Sequence, residues 1–167
     1  MKNKILTIVL ISLIVIIAIF IYIKMNKNID ELDIKDIKYS TGGGFGTEAD
    51  CATKTIVIQE DGYVKFTNTY NKDLTQEFKI SEELVCELKN YINENRKVFL
   101  KEKITDKEAM DAGTQYLFVS TKDGKEYKIG GYCVIDDQFK LISKKIIETV
   151  GKENYIEYCN DIRKSEI

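Results

Sequence analysis

Nineteen consecutive residues without a charge, Ile5 to Ile23, constrain this chain more than any other feature. As a helix the run reaches about 28 Å at 1.5 Å per residue, close to the ~30 Å hydrocarbon core of a bilayer. Fifteen of the nineteen are Ile, Leu, Val or Phe, so insertion is favourable by several kcal/mol at roughly 0.3–0.6 kcal/mol each. The rival reading is a cleaved secretory signal, whose apolar region is shorter and ends in small residues. Phe20-Ile21-Tyr22-Ile23-Lys24 has no such site, and the first cysteine, Cys51, is too distant for a lipoprotein signal. The sequence therefore predicts residues 1–23 as a leader and single transmembrane anchor in contact with membrane lipid through Ile5 to Ile23. Residues 24–36 follow as a polar stem, and residues 37–164 as one domain. Lysines flank the run on both sides, so positive charge alone does not orient it. The short lysine-bearing leader resembles an export signal, which places the domain outside the cytoplasm.

Beyond the anchor the chain is acidic. Two of the 25 basic residues, Lys2 and Lys4, precede it, whereas all 27 acids follow it. That balance argues against a nucleic-acid partner, which calls for a basic surface. The chain has no histidine, which excludes Ser-His-Asp and Cys-His nucleophile pairs and every zinc site that uses imidazole. An enzyme built on carboxylates or a thiol is the remaining catalytic class, and no residue is singled out for it. No cofactor motif is present. Gly44-Phe45-Gly46-Thr47-Glu48-Ala49 formally fits a dinucleotide loop, but the segment behind it is too short for the required helix and leads into a strand.

The rest reads as an α+β domain. Ile37 and Tyr39 alternate with Lys38 and Ser40 in an N-terminal strand. Two hairpins turn on Asp-Gly pairs, Thr55–Ile58 to Tyr63–Thr67 through Asp61-Gly62, and Tyr116–Val119 to Tyr127–Ile129 through Asp123-Gly124. Phe78 and Ile80 mark a further short strand. Ser81 caps a helix whose apolar face is Leu84, Val85, Leu88, Tyr91 and Ile92. Thr105-Asp106-Lys107-Glu108 is a capping box that predicts a short helix to Ala112. Phe139, Ile142, Ile146 and Val150 form a second stripe with Gly151 at its end, and Tyr155 to Ile162 is a last helical stretch. The expectation is an antiparallel sheet packed by two or three helices.

Gly42, Gly43, Gly44, Phe45 and Gly46 are the candidate partner-binding residues. One reading is a flexible connection between antiparallel strands. The other is a protruding loop whose bare backbone lies in a partner's groove with Phe45 as anchor. The stretch Ile37-Lys38-Tyr39-Ser40-Thr41-Gly42-Gly43-Gly44-Phe45-Gly46 resembles the opening of the emfourin family of small inhibitors of thermolysin-like metalloproteases. The likeness covers about these ten residues closely and the remainder as element order. It implies protease inhibition, with Gly42, Gly43 and Phe45 at the contact.

Cys51, Cys86, Cys133 and Cys159 are widely spaced, with no C-x-x-C, so neither a zinc site nor a redox motif is expected. Outside the cytoplasm they permit three full disulfide pairings, and free buried thiols are the alternative. The acids Asp30-Glu31-Asp33, Glu60-Asp61 and Asp136-Asp137 lack the spacing of an EF-hand loop and read as solvated surface rather than as a metal site.

Overall fold

A computed structural model describes residues 29–106, 108, 109 and 112–166, together with 12, 13 and 15–17. The chain divides into two compact units, Met1–Asp30 and Glu31–Ile167. In the first, Ser12, Leu13 and residues 15–17 are helical, and the rest of the predicted span Ile5 to Ile23 lies outside the described residues. Among the described residues no helix is long and apolar enough to cross a membrane.

The second unit is an α+β fold built on a six-stranded antiparallel sheet. Its strands are β1 (Ile34–Gly42), β2 (Lys54–Gln59), β3 (Tyr63–Asn68), β4 (Gln76–Lys79), β5 (Thr114–Thr121) and β6 (Glu126–Tyr132), in the spatial order β4-β3-β2-β1-β5-β6. The first strand thus lies in the interior of the sheet, paired to β2 on one side and β5 on the other. It begins at Ile34, three residues before the expected Ile37, and Leu32 is already buried. The folded unit takes in the end of the expected stem because Asn93 clasps it: its amide accepts from Leu32 N–H at 2.8 Å and donates to Leu32 O at 3.0 Å.

β2 and β3 are joined through Glu60-Asp61-Gly62, and β5 and β6 through residues 122–125. Gly62 and Gly124 both adopt φ 82° and donate to the carbonyl three residues back, Gln59 and Thr121, at 3.0 Å. A residue with a Cβ resists that left-handed geometry.

Among the described residues four α-helices accompany the sheet, α1 (Glu48–Cys51), α2 (Glu82–Glu94), α3 (Asp137–Thr149) and α4 (Lys152–Lys164), with a short 3-10 turn at Arg96–Leu100. Ser81 Oγ accepts from Leu84 N–H to start α2, and Asp136 Oδ1 accepts from Phe139 N–H to start α3. The expected helix at Thr105 is absent among the described residues there. Thr105 instead forms a bridge to Val134, and the Asp106 carboxylate accepts from Glu108 N–H in a local turn. Around that bridge Asp106 N–H donates to Cys133 O at 2.9 Å and Ile135 N–H to Ile104 O at 2.8 Å, so pairing with the segment after β6 satisfies the backbone in place of a helix.

The core lies on one face of the sheet. Ile37, Tyr39, Ile56, Ile58, Val64, Phe66, Leu117 and Val119 are buried there against Val85, Leu88 and Ile92 of α2, Phe139, Ile142 and Ile146 of α3, and Tyr158 and Ile162 of α4. Burying each large apolar side chain contributes about 1.5–3 kcal/mol. Phe66 is the aromatic hub, 5.3 Å from the rings of Phe78 and Tyr158 and 6.1 Å from that of Tyr155.

Candidate partner-binding surface

The five residues Gly42 to Gly46 leave the end of β1 and run into α1, a four-residue turn fixed by a reciprocal cap between Thr47 and Asp50. Three stretches of backbone meet here. A Cβ on Gly43 would stand 2.4 Å from Asp50 O, one on Gly44 2.2 Å from Ala112 O, and one on Gly113 2.2 Å from Gly42 O. Real side chains never approach backbone so closely, so the chain can pass only where Cβ is missing. Gly42 still belongs to β1, opposite Thr114. Gly46 takes φ 129° beside the Asp50 side chain. Asp50 in turn is held by Arg163 Nε at 2.7 Å, which ties α1 to α4 and keeps its carboxyl below the usual range, with help from Thr47 N–H. The glycines are thus spent on packing within the chain. Phe45 is the exception: its ring is 74% exposed.

A larger surface that sequence reading did not single out lies on the sheet itself. Because side chains alternate along a strand, the sheet has a second face, turned away from the helices. Its register forms rows across the strands. In one row Val57, Lys38, Phe118 and Lys128 stand opposite one another in turn. The neighbouring rows on β1, β5 and β6 are Ser40, Tyr116 and Gly130, then Gly42, Thr114 and Tyr132. Tyr132 brings its hydroxyl to the same junction as the glycines, where it accepts from Ala112 N–H at 2.8 Å. A stripe of aromatic rings, Phe118, Tyr116 and Tyr132, therefore runs toward the Phe45 end of the sheet. Phe118 and Tyr116 are half-buried and 6.1 Å apart. The signal was available in Tyr116-x-Phe118 on a strand between two others, but only the fold shows that the helices of this unit that bury the core, α2, α3 and α4, pack on the other face.

Lysines flank the stripe. Lys38 Nζ lies 5.1 Å from the Phe118 ring centre, and Lys128 Nζ lies 5.2 Å from it and 4.7 Å from that of Tyr116. These are cation–π contacts, which hold an ammonium group without neutralising it. Lys65 on the same face differs, being paired with Glu77 at 2.6 Å.

The remaining candidates are used structurally. Asp136 caps α3 and pairs with Lys101 at 2.6 Å; burial raises its pKa, but Lys101 and the Phe139 N–H outweigh that and leave it lowered. Glu60 binds Lys122 at 2.6 Å and Lys89 at 3.3 Å, and Asp61 pairs with Lys79. Among the described residues no group of His, Cys, Asp or Glu is placed to hold a metal ion. The cysteines are free thiols, Cys51 and Cys86 exposed, Cys133 and Cys159 half-buried. Burial pushes the Cys159 thiol up, which disfavours the reactive thiolate. Two open grooves, of about 440 and 430 Å³, adjoin each other at Cys86 and Lys89, and neither brings paired carboxylates around a common enclosed centre.

No family model matches the sequence, and no curated protein matches it.

Proposed function

We propose that this chain is a membrane-anchored, non-enzymatic binding domain, held by Ile5 to Ile23 with its folded unit outside the cytoplasm, whose partner is a protein at the cell envelope. The partner is engaged through the loop Gly42–Gly46 and the adjoining uncovered face of the sheet. The observation that carries this reading is Phe45, an exposed aromatic ring on a loop whose backbone is wedged between two other chain segments. A pre-ordered anchor of this kind loses little conformational entropy on association, so more of its burial appears as affinity.

The test places a photo-crosslinking residue at position 45 of the full-length protein in its native membrane. A discrete adduct is expected there and none from the same residue at Leu141, which is exposed on α3. Equal adducts at both positions would refute the reading. The anchor is tested in the same preparation: full-length protein stays with the membrane through high-salt and alkaline washing, and release of a shortened soluble chain counts against it.

A narrower reading, inhibition of a thermolysin-like metalloprotease, draws on the emfourin resemblance and on the projection of Phe45. It requires that full-length protein in nonionic detergent inhibit such a protease and that Phe45→Ala abolish the inhibition.

A further inference from the structure

We propose that the uncovered face of the sheet binds an acidic peptide segment of the partner, with carboxylates taken by Lys38 and Lys128 and an apolar side chain laid on Phe118 and Tyr116. The inference rests on the binding reading above and adds the chemistry of the ligand. Lys38 on β1 and Lys128 on β6 stand on either side of β5, about 10 Å apart at the backbone, given ~4.8 Å between neighbouring strands. Both ammonium groups lean on the Phe118 ring between them. Among the described residues neither is paired with a carboxylate, although the chain carries 27 acids against 25 bases. Two uncompensated cations astride an aromatic platform, on the face opposite the core helices, complement an anion with an apolar neighbour.

The width of the positive zone selects a peptide over a uniform polyanion. One row along the strands, roughly 6.6 Å away, Asp36 of β1 and Glu126 of β6 stand opposite Ser120. At the far end of the lysine row, Glu77 already neutralises Lys65. A nucleic acid or an anionic lipid surface, charged throughout, would set its phosphates against Asp36 and Glu126. A segment carrying its carboxylates only where Lys38 and Lys128 reach avoids that repulsion. β1 and β5 are paired on both sides, so over these two strands recognition comes from side chains.

The experiment measures the anisotropy of a short fluorescein-labelled peptide, in which glutamates flank a phenylalanine, against full-length protein in nonionic detergent. Exchanging Lys38→Glu together with Lys128→Glu is expected to weaken binding by about tenfold or more, and raised salt to weaken the wild type. The reversed variant should in turn bind a peptide whose phenylalanine is flanked by lysines, a gain that mere unfolding cannot produce. Should the reversal fail to fold, Lys38→Gln with Lys128→Gln carries the test, with a loss of about threefold expected. Undiminished binding by the folded variants overturns the proposal. So does tighter lysine-dependent binding of oligothymidylate or of phosphatidylglycerol vesicles than of the peptide. Phe45→Ala separates the two readings: loss with Phe45→Ala but not with the lysine exchange sinks the acidic ligand alone. The reverse pattern removes the loop from the binding reading and leaves the acidic ligand standing.

Discussion

Replacing Gly44 by alanine probes the packing of the loop most directly. The new Cβ would sit 2.2 Å from Ala112 O and 2.5 Å from its carbonyl carbon, both backbone atoms that no side-chain rotation can move. One of the two segments has to shift by more than an ångström, and overpacking of that kind costs about 1–3 kcal/mol. Gly43→Ala, with Asp50 O at 2.4 Å, belongs in the same range. For a unit of this size 1 kcal/mol corresponds to roughly 3–5 °C in Tm, so each variant should melt several degrees below wild type. Gly124→Ala is the matched control. Nothing lies within 4 Å of its Cβ, and its whole cost, about 1–2 kcal/mol, is the left-handed φ of 82°. Asparagine tolerates that conformation, so Gly124→Asn should recover much of the loss, whereas Gly44→Asn should be no better than Gly44→Ala. Thermal melts of full-length protein in one detergent decide it. A Gly44→Ala melt within about 1 °C of wild type, or a rescue by Gly44→Asn, refutes the close approach of the three backbones. Phe45→Ala, by contrast, removes a ring that is 74% exposed and should change stability by less than about 0.5 kcal/mol, which makes it a clean probe of binding.

Asn93→Ala leaves the buried N–H and C=O of Leu32 without their partners; urea unfolding should show a loss of about 1–3 kcal/mol, and an unchanged midpoint would mean that water replaces the amide. Acid should destabilise the fold. Lys125 first, then the Thr121 hydroxyl, lowers Asp123 to about 2, and Lys122 and Lys65 lower Glu60 and Glu77. Carboxyls lowered by folding contribute stability that is present above about pH 4 and lost as the pH falls toward 2, so Tm should drop across that window, and a flat profile contradicts it. At the alkaline end burial raises Tyr39 and Tyr158; that contribution is present below about pH 10 and is lost as the pH rises above it. In reduced native protein Cys51 and Cys86 should react with a thiol reagent well before Cys133 and Cys159, as their exposure dictates; four equal rates would show that the helices open faster than the reagent attacks.

The α+β class and the antiparallel sheet were legible because their determinants are local. A run such as Thr55-Ile56-Val57-Ile58 alternates with period two, and Phe139, Ile142 and Ile146 recur at helical spacing, so each segment carries its own pattern. The absence of histidine likewise limits catalysis whatever the fold. What distance along the chain conceals is which segments meet. That β1 enters the middle of the sheet depends on β5, more than seventy residues later, pairing along its open edge. The capping pattern at Thr105 satisfied a local rule and lost to a bridge with Val134. Gly43 and Gly44 looked like freedom in sequence, and the tertiary structure makes them, with Gly113, a point of contact, since the atoms the three avoid belong to Asp50, Ala112 and Gly42. Lys38, Phe118 and Lys128 are unremarkable surface residues when read singly. They become one surface only because strand register sets them in a row and the helices take the opposite face, and register is a property of the assembled sheet, not of any one strand.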